Sequence, residues 1–179
     1  MTDPSISRRI ARVSRILIWL SFVFAGTLIA AYVAIWADTE TLRTVIEGQI
    51  LPPATPYMLT DAVLVTGFVV GLLPLLAVLS GLWFAVLLFR LFERGEVFTQ
   101  TSGKRLIQVG VALAALLPAQ IVMTGSASFL LTVGNPVPSI SFSFESTQML
   151  VGFAGGLMIV VGWVLGEATR IADENREFI

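Results

Sequence analysis

Glu93, Glu96 and Glu167 are the side chains of this sequence best equipped for chemistry. Each carboxylate stands at the end of a long apolar run, near where a membrane interface falls. There it could serve a neutral or lipid-like substrate as acid or base. The usual partners for such work are missing. The 179 residues contain no His, which removes the commonest general base, metal ligand and haem ligand. They contain no Cys, which removes a thiolate nucleophile, a disulfide and iron–sulfur ligation. The apolar runs hold no ionisable residue of the kind that marks a proton or ion path. Charge at the ends of the runs is also what membrane topology alone requires. The reading is a non-catalytic chain with no catalytic, metal or cofactor site.

The elements that position these acids follow from composition. Hydrophobic residues make up 56% of the chain and charged residues 13%, with a mean hydropathy of +0.88. Soluble domains are about 45–50% apolar and about 25% charged, so this is a membrane composition. A span takes roughly 20 apolar residues, and four runs qualify. They predict spans over about 16–37, 62–92, 106–133 and 149–168. Backbone groups in lipid must bond within their own segment, so the spans are helices, and the alternating short segments of a β-barrel are absent. The fold class is all-α: a polytopic four-transmembrane-helix bundle in a single domain. The first run is too long for the apolar core of a signal peptide and is read as an uncleaved helix, started by Asp3 as cap and Pro4 in the first turn.

Orientation comes from the cations. Arg8, Arg9, Arg12 and Arg15 precede the first span; Arg90, Arg94, Lys104 and Arg105 surround the 93–105 turn; Arg170 and Arg176 lie in the tail, 169–179. The loop over 38–61 has only Arg43, and 134–148 has none. The positive-inside rule places both termini and the 93–105 turn in the cytoplasm of a bacterial inner membrane. Arg8, Arg12 and Arg15 share one helical face, which is expected to contact anionic headgroups at about 1 kcal/mol per charge. A net charge of −1 argues against direct nucleic-acid binding.

In the inner turn, Gly95 supplies a backbone conformation closed to other residues, and Thr101 or Ser102 is the expected cap of the third helix. Phe98 stands alone among polar residues and could dip back into the interface. Outside, Leu42, Val45, Ile46 and Ile50 recur at helical spacing, predicting a short helix on the membrane surface. Pro52, Pro53 and Pro56 then impose an extended stretch. Ile140, Phe142 and Phe144 alternate with Ser139, Ser141 and Ser143, predicting an extended segment with one apolar face, a lid over the bundle end or a docking strand.

Within the spans, Gln120 is the one strong hydrogen-bonder and is expected to tie two helices together. Gly67 with Gly71, Gly152 with Gly156, and Gly162 with Gly166 have the spacing that lets helices approach. Pro74 and Pro118 are expected to kink their helices. Arg170 has Glu167, Asp173 and Glu174 within pairing distance along a helix. The second and fourth helices outrun the ~30 Å hydrocarbon core, so they tilt or protrude, and the acidic tail is expected to touch the basic turn.

Four spans, the turn "ERGEVFTQTSGKRL" and the tail "EATRIADENREFI" resemble the bacterial integral membrane family described as domain of unknown function 2975. The resemblance covers most of the chain and is carried most specifically by Gly95, Phe98, Thr99, Glu174 and Asn175. The family brings no established catalytic residues. Some members are similar to proteins encoded beside small helix-turn-helix regulators, which implies a membrane partner for a regulator. The expected function is an adaptor or regulator with a cytoplasmic docking face of Arg90, Glu93, Arg94, Gly95, Glu96, Phe98, Thr99, Glu174 and Asn175. Its expected partners are the lipid bilayer and a protein, either a soluble regulator or a larger membrane complex. An accessory or assembly subunit of a respiratory or photosynthetic complex is the alternative, and a transporter or lipid-handling protein a third.

Overall fold

The computed structural model describes residues 4–52, 55–142 and 146–177. The side chains of Arg8 and Asn175, and residues Asp3, Pro53, Ser143 and Phe144, lie outside the described residues. Four long helices carry the chain: α1 (Pro4–Ala37), α3 (Asp61–Glu93), α4 (Gln100–Thr132) and α5 (Ser146–Glu177). A short helix, α2 (Thr39–Val45), runs into one π-helical turn (Ile46–Ile50) between α1 and α3. All four long helices are long and apolar enough to cross a membrane, and the described residues form no strand. At 1.5 Å per residue, the 33 residues of α3 extend about 50 Å, well beyond the hydrocarbon core. Pro74 and Pro118 lie inside unbroken helices.

The bundle is open. Among the described residues α1 packs on α3, α3 on α4, and α4 on α5, while the α1 backbone packs closely on neither α4 nor α5. A soluble four-helix bundle closes because its apolar faces flee water. Lipid tails are as apolar as leucine, so no such force closes this one. The large side chains turn outward: Trp19 and Val23 on α1, and Leu150, Phe153 and Trp163 on α5, are exposed. Between the helices sit small residues, Gly81 against Ala112 and a glycine seam between α4 and α5.

That seam shares Gly162 with the set the spacing suggested and otherwise uses Gly103, Gly110 and Gly155. A Cβ on Gly110 would lie 2.6 Å from the Gly155 carbonyl, and one on Gly155 would lie 2.7 Å from both the Ala114 amide and the Gly110 carbonyl. A Cβ on Gly162 would meet Gly103 O at 2.9 Å. Gly103 and Gly110, and Gly155 and Gly162, each stand one heptad apart, so the two antiparallel backbones touch once per two turns. Gly156 and Gly166 have open space where a Cβ would go, and Gly152 meets only Leu117 at an ordinary 3.5 Å. Gly67 and Gly71 do permit close approach, but to aromatic rings. A Cβ there would strike Trp36 at 2.9 Å and the Tyr32 hydroxyl at 2.8 Å. The gap at Gly71 lets Tyr32 donate to the Phe68 carbonyl, and Tyr32, Trp36 and Phe68 form one aromatic cluster. Gln120 is half-buried and makes no side-chain hydrogen bond among the described residues, so the expected tie is not formed there.

The α4–α5 connection turns back along α4. Thr132 accepts from the Ser139 amide at 2.9 Å, and Ser128 accepts from the Ser141 amide at 2.9 Å. Two extended residues advance about 6.6 Å and four helical residues about 6 Å, so hydroxyls four apart on α4 match amides two apart on the segment. Both hydroxyls are fully buried, and Phe142 lays its ring over Gly125. The extended segment is present, and its backbone is satisfied by α4 rather than by water.

Candidate functional site

The two ends of the open bundle are built differently. At the end carrying the termini, α3 stops in a Schellman motif. Gly95 takes φ +84°, its amide bonds Phe92 O at 3.1 Å, and the Glu96 amide bonds Leu91 O at 3.0 Å. Six residues later α4 is already under way, begun by a capping box. The Ser102 amide donates to the Thr99 hydroxyl at 3.1 Å, and the Thr99 amide to the Ser102 hydroxyl at 3.0 Å. Thr99 is therefore the cap, Ser102 its reciprocal partner, and Thr101 takes no part. The helix starts at Gln100, earlier than the apolar run that predicted it. Both devices fix a tight turn over 94–99 that displays Arg94, Glu96 and Phe98, with Arg90 exposed in the last turn of α3. Phe98 is 77% exposed.

The other residues assigned to this end divide. Arg15 forks onto one oxygen of Glu93 at 2.9 and 2.7 Å, joining α1 to α3. Arg15 is thus engaged by protein rather than held for headgroups alone, while Arg12 lies beside Trp19 and Leu20 along the exposed α1 face. Arg170 pairs with Glu167 at 2.6 Å and with Glu174, as its spacing predicted. Among the described residues the α3 and α5 backbones are not packed together, and Glu167 and Glu174 are paired with Arg170 within their own helix. Between α4 and α5 at this end lies a shallow recess edged by Gln100, Lys104, Glu167 and Arg170.

At the opposite end the described residues between 38 and 61 fold into a cap. Leu42, Ile46 and Leu51 are buried with Leu131 of α4, so the helical stripe seen in the sequence faces the bundle rather than lipid. The Met58 amide donates to Leu131 O at 3.2 Å, and Asn135 donates to Pro56 O at 2.6 Å, which ties the cap to α4 and to the following loop. Asp38 starts α2 by accepting from the Thr41 amide at 3.1 Å and from the Thr41 hydroxyl. These bonds hold its carboxyl below 3.8, its ordinary value. A lowered folded value gives stability that is present above the ordinary one and lost as pH falls through the folded one. Acidification is therefore expected to speed hydrogen exchange of the α2 amides. Asp38→Asn caps equally well but does not titrate. If that variant still showed the acid-dependent step, the assignment would fail. Nearby, the Tyr57 hydroxyl donates to Glu47 at 2.8 Å, and this bond raises the phenol's pKa.

Beneath the cap lies an apolar cavity of about 250 Å3. Tyr32, Ile35 and Trp36 of α1 form one wall, Met123, Ala127 and Leu131 of α4 another, α3 from Val63 to Leu75 the back, and Leu42 and Ile46 the roof. Sequence reasoning missed this site and the residues Gly103, Gly110 and Gly155. The heptad spacing of the glycines was a usable signal; the cavity left none, because its lining residues read as ordinary span.

The family model described as "Protein of unknown function (DUF2975)" matches residues 49–179. That match takes in the π turn's last residues, α3, α4 and α5, with the 94–99 turn and the tail. No curated protein and no solved structure matches the chain.

Proposed function

We propose, from the premise that the chain belongs to the DUF2975 family of proteins of unknown function, that it is a non-catalytic membrane adaptor or regulator. Its 94–99 turn would dock a soluble protein on the cytoplasmic side of a bacterial inner membrane. One observation carries the reading. An exposed Phe98 shares a turn fixed at both ends with exposed Arg94 and Glu96, and exposed Arg90 stands in the last turn of α3 before it. A large apolar ring ringed by charge is the composition of a small docking patch, since an aromatic anchor supplies most of the contact energy and the rim supplies orientation. The ten-to-one bias of Lys and Arg toward that side supports the orientation.

The open array supports a second reading, an accessory subunit of a larger membrane complex. The outward faces of α1 and α5 each offer an uncovered apolar edge to further helices. Affinity purification of the C-terminally tagged chain in mild detergent separates the two. The adaptor reading expects a soluble partner at fixed stoichiometry that is lost on Phe98→Ser or Arg94→Glu, with the fold intact because both side chains are exposed. A large complex that survives both substitutions would sink the adaptor reading and favour the subunit.

A further inference from the structure

We propose that the cavity beneath the cap holds one hydrocarbon chain of a phospholipid from the leaflet on the cap side. The headgroup, carrying a phosphate and a primary ammonium, would be read by Arg43 and Glu47. The lining argues for the chain. Of the cavity's side chains only Tyr32 and Trp36 have a polar atom, and the Tyr32 hydroxyl is already given to Phe68 O. Water needs two to four polar partners to occupy such a space, and an apolar cavity of ~150 Å3 already stays dry and takes up an apolar guest. Left empty, the walls would forfeit their dispersion contacts on one side.

The geometry argues for the bilayer as source. α3 closes the back, and α2 with its π turn closes the roof. The α1 and α4 backbones forming the side walls do not come within 8 Å of each other, and we take the gap between them as the opening to the membrane. Along α3 the lining runs from Val63 to Leu75, about 18 Å of helix, a length suited to an extended chain rather than a compact ring.

The rim argues for the headgroup. The helical turn that sends Leu42 and Ile46 into the cavity sends Arg43 and Glu47 to the adjoining face. There, with Thr55, Pro56 and Tyr57, they edge a shallow pocket, and Leu59 borders both spaces. Arg43 is the one cation in the sequence between 38 and 61, and it makes no ion pair among the described residues. One cation and one carboxylate a helical turn apart match a phosphate and an ammonium in one headgroup.

The test uses the purified full chain in nanodiscs doped with phospholipids bearing a photoactivatable diazirine in one acyl chain, followed by mass-spectrometric mapping of labelled peptides. The expected result is labelling of Met123, Ala127 and Ile46 several-fold above that of lipid-facing Leu157 and Trp163. Ala127→Phe, which fills the space, should remove the first set and leave the second. Labelling of the wild-type chain in proportion to lipid exposure alone would overturn the proposal, and this readout needs no variant to fold. Probes with phosphoethanolamine, phosphoglycerol and phosphocholine heads on the same chain test the rim. Phosphoethanolamine should label the cavity several-fold better than the others, and Arg43→Gln should abolish that preference. Equal labelling by all three overturns the assignment of Arg43 and Glu47.

Discussion

Gly110→Ala and Gly155→Ala are each expected to destabilise the folded chain by about 1–3 kcal/mol, the cost of forcing a methyl group into a packed interface. The alanine Cβ would lie 2.6 Å from a carbonyl oxygen in the first case and 2.7 Å from an amide nitrogen in the second. Those are backbone atoms, which cannot swing aside as a side chain would. Relief requires α4 and α5 to separate, and separation loses the close packing that holds helices together in lipid. Gly156→Ala is the control. It lies on the same helix with open space around it and is expected to change stability by less than about 0.5 kcal/mol. Unfolding curves in mixed micelles give the comparison. If Gly110→Ala and Gly156→Ala unfolded together, the seam would not be where the structure puts it.

The second large effect is expected at the polar anchor of the returning segment. Thr132→Val keeps the shape of the side chain and removes its acceptor, leaving the Ser139 amide without its partner. Ser128→Ala does the same to the Ser141 amide. A fully buried amide that loses its bond costs about 1–3 kcal/mol, and these half-buried amides are expected at the lower end of that range. The double variant should lose more than either single one, and hydrogen exchange over 139–142 should rise well before the helices open. Unchanged protection there in both single variants would mean that the segment is held by Phe142 on Gly125 instead. The effect reaches beyond the segment itself, because α5 starts from it and the seam with α4 depends on where α5 starts.

The features legible in the sequence were those set by near neighbours. Four spans follow from the hydropathy of unbroken runs, because each buried peptide group in lipid must be satisfied within its own helix. The turn at Gly95 follows from the one residue that adopts positive φ without strain. Arg170 finds Glu167 and Glu174 because residues three and four apart share a helix face. The Thr99 cap was missed by two or three residues. The apolar run of α4 begins at Leu106, and nothing apolar marks the polar first turn that precedes it.

Features that depend on pairing between distant segments were not legible. The motif at Gly152 and Gly156 is as good a packing signal as any, yet Gly155 makes the contact, because the register between α4 and α5 decides which face is turned inward. The sequence offers Arg15 many acids, and only the alignment of α1 on α3 selects Glu93. By itself the sequence determined a four-span membrane chain, its tight turn and its helix-borne ion pairs, since hydropathy and local hydrogen bonding act over a few residues. Only the tertiary structure decided that the bundle stays open, that the 38–51 segment folds down as a cap, and that an apolar cavity lies beneath it. Those outcomes rest on how helices far apart in sequence fit side by side, and lipid, unlike water, leaves that choice to shape.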